Sequence, residues 1–308
     1  DKRTVLGFLL SVSLVFPILV NGNEFHLFSP LYSVVVLPLI YPFIFLSWLS
    51  YLTVPMMSVL NGYSMFITGM LETISKIDVT IPMGNWSPLI ITIYYTLYIN
   101  IWYWHDIGIT HIRDYCLVAL VSIIVLNPIP YSWKFKEAVY FINVGQGDSI
   151  VLKSRDATVM IDTGGNTSFD IASDVLIPFL RKEKIYKIDY LITTHHDADH
   201  DGGVEMLSRK YKVKNIIDYN YSFPLSIGKF ELKNLNIYWN EDSDENDKSL
   251  VLYGEVIGKK MLFMGDAPIS IEKKIIQDNP NLECDILKVG HHGSDTSSCP
   301  EFIKNVSP

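Results

Sequence analysis

Charge is scarce in this chain: 19% of its 308 residues are Asp, Glu, Lys or Arg, against roughly 25% in a typical soluble protein. The scarcity is also uneven. Residues 1–134 hold 5 of the 25 Lys+Arg and 6 of the 33 Asp+Glu, which leaves 20 and 27, a net charge of −7, for residues 135–308. Such asymmetry excludes a uniform soluble enzyme and a disordered tail protein. With a total of −8, binding of nucleic acid through bulk positive charge is excluded too, so a nucleic-acid partner must be met at a local site. Cysteine is rare as well. Three residues, Cys116, Cys284 and Cys299, show no CxxC spacing; unpaired thiols are expected, with a Cys284–Cys299 disulfide as the alternative if the domain faces an oxidising space.

What is present in the first part is apolar runs. A helix needs about 20 mostly apolar residues to cross a bilayer. Leu6–Val20, Leu31–Val54, Leu89–Trp104 and Cys116–Leu126 read as four spans, with Trp48, Trp86, Trp102, Trp104 and Trp133 near their ends, where amphipathic rings favour the headgroup region. Met56–Ile77, which carries Asn61, Ser64, Glu72 and Lys76, suits a tilted or interfacial helix. The chain starts with Asp1 directly before a span and is expected to be a fragment. Two domains are expected: membrane helices over residues 1–134 and a soluble domain over 135–308.

In the second part β-branched and aromatic residues dominate short runs. Strands are predicted at Ala138–Val144, Ser149–Lys153, Thr158–Ile161, Ile188–Thr193, Lys260–Met264 and Asp285–Val289. Gly145-Gln146-Gly147-Asp148 reads as a turn, and Ile171–Lys182 as a helix bent by Pro178. Chemistry gathers just after three of the strands. The first cluster is His195-His196-Asp197-Ala198-Asp199-His200-Asp201, six ionisable side chains in seven positions. Imidazole and carboxylate at alternate spacing on a tight turn are what a divalent metal requires. Asp266 and the pair His291-His292, followed by Ser294, stand after two further strands. Asp266 alone reads as a turn residue; with the other two clusters it completes a ligand set.

The order Asp162, His195-x-Asp197-x-Asp199-His200, Asp266, His291-His292 resembles the metallo-β-lactamase fold family. FINVGQGDSI, MIDTGG, LITTHHDADHDGG, MLFMGDA and ILKVGHHGS, together with SPLYSVVVLPLIYPF in the membrane half, resemble the C-terminal part of the ComEC competence proteins. These are channels proposed to carry single-stranded DNA across the membrane in natural transformation. The resemblance implies an αββα sandwich after the transmembrane helices, C-terminally truncated here and on the extracellular side of a multi-pass membrane protein. It implies two divalent ions, Mn²⁺ or Zn²⁺: His195 and Asp197 on one, Asp199 and His200 on the other, Asp266 bridging, and His291 or His292 completing the second. Asp162 would orient a ligand. Asp197 replaces the family's second His, which shifts preference from zinc toward manganese or magnesium. No His lies between His200 and His291, so the first ion has fewer strong ligands.

A pair of cations can clamp both oxygens of an in-line displacement at phosphorus. Asp199 is the nearest base, and Lys288 or Ser294 can hold a phosphate, although Lys288 also reads as a strand-end surface charge. The resulting expectation is DNA uptake with a metal-dependent hydrolase domain, a phosphodiesterase or nuclease cutting the strand that is not imported. Its partners are single-stranded DNA, membrane lipid and other competence DNA-uptake proteins. Two alternatives are a DNA-binding or transport protein with a weak hydrolase domain, and a membrane-attached metallo-hydrolase of lipid or wall phosphodiesters.

Overall fold

A computed structural model describes residues 16–17, 20–21, 24–51, 54–77, 79–129, 137–165, 168–228 and 230–308. Most of the Leu6–Val20 run, Trp133 and the composition boundary at residues 134–136 lie outside the described residues. The chain falls into two compact units that divide after Ile129.

The first unit is helical. A small antiparallel sheet of β1 (Val20–Asn21), β2 (Glu24–His26) and β3 (Thr80–Pro82) accompanies α1 (Ser29–Ser50), α2 (Val54–Ile77), α3 (Pro88–Ile107) and α4 (Thr110–Leu126). Helix α3 starts where its sequence says it should. Ser87 Oγ accepts a hydrogen bond from the Ile90 amide at 3.4 Å, Pro88 follows, and Gly108 ends the helix at φ +82°, the left-handed stop that glycine makes without strain. Phe16, Met83, Tyr94 and Leu120 form its core, with Trp86 against them.

Among the described residues no helix is long and apolar enough to cross a membrane, so the four expected spans are not supported. The physical reasons lie in the helices themselves. Helix α3 carries Asn100, His105 and Asp106, and α4 is 17 residues long, short of the about 20 a span needs. The apolar character of the unit is nonetheless displayed outward, with Tyr41, Phe45, Trp48 and Met65 at 65–76% exposure.

The second unit is a four-layer sandwich. Its first sheet has the order β4-β5-β6-β7-β8, built from β4 (Ala138–Phe141), β5 (Ile150–Lys153), β6 (Thr158–Ile161), β7 (Ile188–Ile192) and β8 (Val213–Ile217). The second has the order β13-β12-β11-β10-β9, from β9 (Leu225–Ile227), β10 (Phe230–Asn234), β11 (Leu252–Val256), β12 (Lys259–Phe263) and β13 (Ile286–Lys288). Strands β6, β7 and β8 run parallel, as do β12 and β13; the remaining neighbours in both sheets are antiparallel. Strands β5 and β6 read as near-continuous apolar runs because both of their faces are covered. In β5, Ile150 and Leu152 enter the core between the sheets while Val151 enters the core under the helices. Strand β12 repeats this, with Met261 and Phe263 facing inward and Leu262 outward.

Helices α5 (Ile177–Lys182) and α7 (Val204–Lys210) cover the first sheet through Leu180 and Leu207, and α9 (Ile269–Asp278) and α10 (Pro300–Val306) cover the second through Ile271, Ile275, Phe302 and Val306. The predicted bend at Pro178 takes a definite form. Ala172–Leu176 is a π-helical turn in which the Ile177 amide reaches back to the Ala172 carbonyl, widening the helix just before a residue that cannot supply its own N–H. Strands β11 and β12 are joined by Ile257-Gly258, both with positive φ (56° and 71°), the two-residue hairpin geometry that matches strand twist. Cys284 and Cys299 are unpaired and buried beside α9 and α10.

One buried carboxylate staples the first sheet from the side. Asp189 on β7 accepts from the Thr158 amide (3.0 Å) and from Lys187 Nζ (3.1 Å), and pairs with Lys214 Nζ at 2.6 Å. Burial opposes its charge, but Lys214, the Thr158 N–H and Lys187 outweigh it and hold its pKa below the ordinary carboxylate range. A depressed carboxylate stabilises the fold above its unfolded value, about pH 4, and that contribution is lost as pH falls through the lower folded value. Asp189→Asn is expected to cost about 1–3 kcal/mol at pH 7. Denaturant unfolding of parent and variant measures this difference, and it should shrink as the buffer is taken from pH 5 to pH 3.

Candidate metal centre

The carboxyl ends of β6, β7, β12 and β13 open on one rim of the sandwich. Asp162 follows β6 at φ +57°, a conformation that Asp adopts more readily than most residues. Its Oδ1 accepts from the Thr194 amide at 2.7 Å, and its Oδ2 from Thr194 Oγ1 at 2.8 Å. The same Oδ2 lies 2.8 Å from His200 Nδ1. Asp162 therefore ties the tip of β6 to the turn after β7 and fixes the ring of His200, which sits on the short helix α6 (Ala198–Asp201). With Nδ1–H donated to Asp162, His200 Nε2 presents its lone pair to the rim.

Four donors meet there. Asp148, His200, Asp266 and His292 each offer an atom within 4.8 Å of the others'. His200 Nε2 is 3.1 Å from Asp266 Oδ1, yet neither atom has a hydrogen-bond partner. The two are close but not aligned, and His195 Nε2 is a third buried atom left unsatisfied. Orphaned polar atoms are costly in an interior, and a divalent cation is the group that satisfies lone pairs converging from several sides. The donor set, imidazole nitrogen with carboxylate oxygen, fits such an ion.

Each remaining predicted residue has a definite place. Asp199 Oδ2 is 3.2 Å from His292 Nε2, on the edge of the cluster. The His195 and His200 rings lie tilted against each other with centroids 4.2 Å apart, and His195 Nε2 is 3.5 Å from Asp197 Oδ2, whose side chain is half exposed. Of the histidine pair, His292 Nε2 lies 3.6 Å from Asp266 Oδ2 and its Nδ1 lies 3.5 Å from Asp148 Oδ1. His291 Nε2 is 3.9 Å from Asp266 Oδ2, with Nδ1 engaged by Thr296 Oγ1 at 2.7 Å. Both residues have positive φ (45° and 52°), backbone strain of the sort found where side chains are aimed for function. Lys288 Nζ pairs with Asp148 Oδ2 at 2.6 Å. Ser294 stays in its own loop, bonded to Asp295 and Thr296, and is not brought to the cluster.

Asp148 is the residue that reading the sequence for ligands misses. It is delivered by a turn that looks purely structural. Gly147 has φ +116°, and a Cβ there would stand 2.1 Å from the Asp199 carbonyl oxygen. Only glycine lets this turn press onto the metal-site turn, where the Asp148 amide bonds to the Asp199 carbonyl at 3.2 Å. A glycine-rich turn followed by an acid was the available signal. His196, inside the same run, turns away to Asp201 at 3.0 Å and to Asp218 at 3.5 Å.

The electrostatics divide the two buried imidazoles. Burial and the neighbouring His200 lower the pKa of His195, which keeps it neutral with a lone pair to give. Burial also opposes charge on His200, but Asp162 and Asp266 outweigh it and raise its pKa to about 10. Burial opposes the ionised form of Asp266, yet His200 and His292 hold its pKa below the ordinary range. Asp162 and Asp266 thus surround His200 with the negative charge that a divalent cation would meet at this rim.

A model of the metallo-β-lactamase superfamily matches residues 142–252. The chain is 31% identical to ComE operon protein 3 of Bacillus subtilis, over 55% of this chain and 27% of that protein. It is 29% identical to the competence protein ComA of Neisseria gonorrhoeae, over 56% of this chain and 26% of that one. It thus spans about a quarter of the length of the curated relatives it matches. An archaeal metallo-β-lactamase superfamily protein of Sulfolobus tokodaii is similar at 16% identity, over 55% of this chain and 84% of that one, with a TM-score of 0.37. The sandwich has the metallo-β-lactamase fold, and the matches fit a ComEC-like protein.

Metal titration checks the centre. Mn²⁺ or Zn²⁺ is expected to raise the melting temperature of the full chain, reversibly with EDTA, because a ligand of the folded state stabilises it. Asp162→Asn should weaken metal affinity about 10–100-fold, while Ser294→Ala should leave it unchanged. Equal affinity in the parent and in Asp266→Ala would remove the cluster as the binding site.

Proposed function

We propose that the sandwich is a metal-dependent phosphodiesterase serving DNA uptake, and that it cuts the strand that is not imported. The observation that carries this is the convergence of unsatisfied donors, His195 Nε2, His200 Nε2 and Asp266 Oδ1, at the rim where the sheet strands end. Two divalent ions, Mn²⁺ or Zn²⁺, would be held there: one by His200, His292 and Asp148, the other by His195 and Asp197, with Asp266 between them. Bound cations supply Lewis-acid stabilisation of the charge that develops on phosphoryl oxygens.

The chain's own residues do the rest. Asp162 holds the His200 tautomer. Asp199, on the cluster's solvent edge, accepts the proton of the attacking water. Lys288 moves its ammonium from Asp148 to a phosphate oxygen once the carboxylate is otherwise engaged, so one cation serves both states. The helical unit associates with lipid through the large side chains that α1 and α2 leave outward, such as Tyr41, Trp48 and Met65, since exposed apolar surface of this kind calls for a cover. Extracellular placement of the sandwich is part of the same proposal.

A second reading has its own support. No His lies between His200 and His291, and Asp197 is half exposed, so the His195 side is poor in donors. A domain with one occupied site would bind a strand and leave it whole. Cleavage of single-stranded DNA by the full chain in Mn²⁺ and in Zn²⁺ separates the two. Asp199→Ala is expected to cut at least about 10²-fold more slowly, the ordinary worth of a general base. An intact strand, bound with an affinity that falls with salt, would favour the second reading.

A further inference from the structure

An aromatic groove of about 320 Å³ lies beside the metal-site turn, lined by Tyr219, Tyr221, Phe223, Ile237 and Trp239 over a floor that includes Asn236. Its place follows from the topology. Tyr219 comes just after the carboxyl end of β8, next to the end of β7 that carries His195 to His200. Trp239 follows β10, whose end pairs with the start of β11 (Asn234 opposite Leu252). The groove and the centre share structural links. The His196 ring packs on Tyr219 with centroids 5.3 Å apart. Asn236 Nδ2 donates to the Ser249 carbonyl at 2.8 Å, and Ser249 Oγ accepts from the Asp266 amide at 3.1 Å.

The groove's chemistry selects its occupant. Tyr219 and Trp239 meet at 5.0 Å and Tyr221 and Phe223 at 5.3 Å, each pair edge to face, and Lys248 Nζ stands 5.9 Å above the Tyr219 ring. Four rings and an aliphatic side chain in one groove offer stacking surface, and Ile237 is 75% exposed with nothing covering it. The amides of Asn234 and Asn236 are spent on backbone partners, so the polar groups the groove turns to an occupant are those at the edges of its rings, the Tyr219 and Tyr221 hydroxyls and the Trp239 N–H. Phosphate is disfavoured as well, because Asp218 and Glu245 border the groove through His196 and Lys248 is paired with Glu245 at 2.9 Å. Flat, neutral heterocycles meet all these conditions.

We propose that this groove stacks unpaired nucleobases of a strand whose phosphates lie at the metal centre, and that it makes the site selective for single-stranded nucleic acid. The proposal rests on the phosphodiesterase reading of the centre. It also answers a difficulty posed by the domain's net charge of −7. A domain of net negative charge can hold a strand by base–aromatic stacking, which is tolerant of sequence, and leave cations at the centre to meet the backbone.

The test uses the full chain in EDTA, so that nothing is cut, with fluorescent dT12 and an abasic strand of the same length. The parent is expected to bind dT12 about five- to a hundred-fold more tightly than the abasic strand, the range that one or two stacked bases supply. A paired duplex should bind as weakly as the abasic strand. Trp239→Ala and Tyr221→Ala should each shrink the ratio, and Trp239→Phe should preserve it; Tyr221, at the exposed end of the groove, guards against loss through misfolding. Equal affinity for the two strands, or a ratio unchanged in both alanine variants, would overturn the proposal. Failure of the phosphodiesterase reading looks different: dT12 stays intact in Mn²⁺ and Zn²⁺ while the base-dependent ratio survives.

Discussion

The contact between Asp162 and the turn after β7 is what the functional rim depends on. One carboxylate accepts from the backbone and hydroxyl of Thr194 and holds His200 Nδ1, all three residues being buried. A charge in such a place is costly unless hydrogen bonds replace water, and here they do. The same contact sets strand register at the tips and the direction of an imidazole lone pair, so fold and chemistry are specified together. On the second sheet Asp266 is held differently, through its backbone N–H, which donates to Ser249 Oγ.

Much of the sandwich was legible because strands buried on both faces must be apolar throughout, and Val151, Met160 and Leu262 leave no polar face to misread. The three tip clusters were legible for the complementary reason, that an ionisable residue straight after such a strand has no structural role to explain it. Asp148 was hidden because its function depends on a contact across the fold, Gly147 against Asp199, which no local pattern announces. The roles of His291 and His292 were equally undetermined: their side chains are aimed by two successive left-handed residues, and residue type alone does not encode that backbone. Lys288, read as either a phosphate ligand or a surface charge, pairs with Asp148, a partner that residue type alone does not announce.

Composition was least informative in the helical unit. Long apolar runs suggested bilayer spans, but run length is indifferent to polar residues such as Asn100, His105 and Asp106 inside one helix and to the 17-residue length of another. The helices place large aromatic and apolar groups outward all the same, and that outward display, rather than the count of apolar residues, is the physical property that a partner or a lipid phase would meet.

The chemistry occupies one rim, while the hairpin Ile257-Gly258 closes the opposite one, a five-residue strand away, or about 16 Å. That turn has the positive-φ geometry of a two-residue hairpin loop, and the Ile257 side chain is exposed on it. It is therefore the natural attachment point for a fluorophore, an affinity handle or an inserted reporter, one that would leave the rim free to act while its movements are watched.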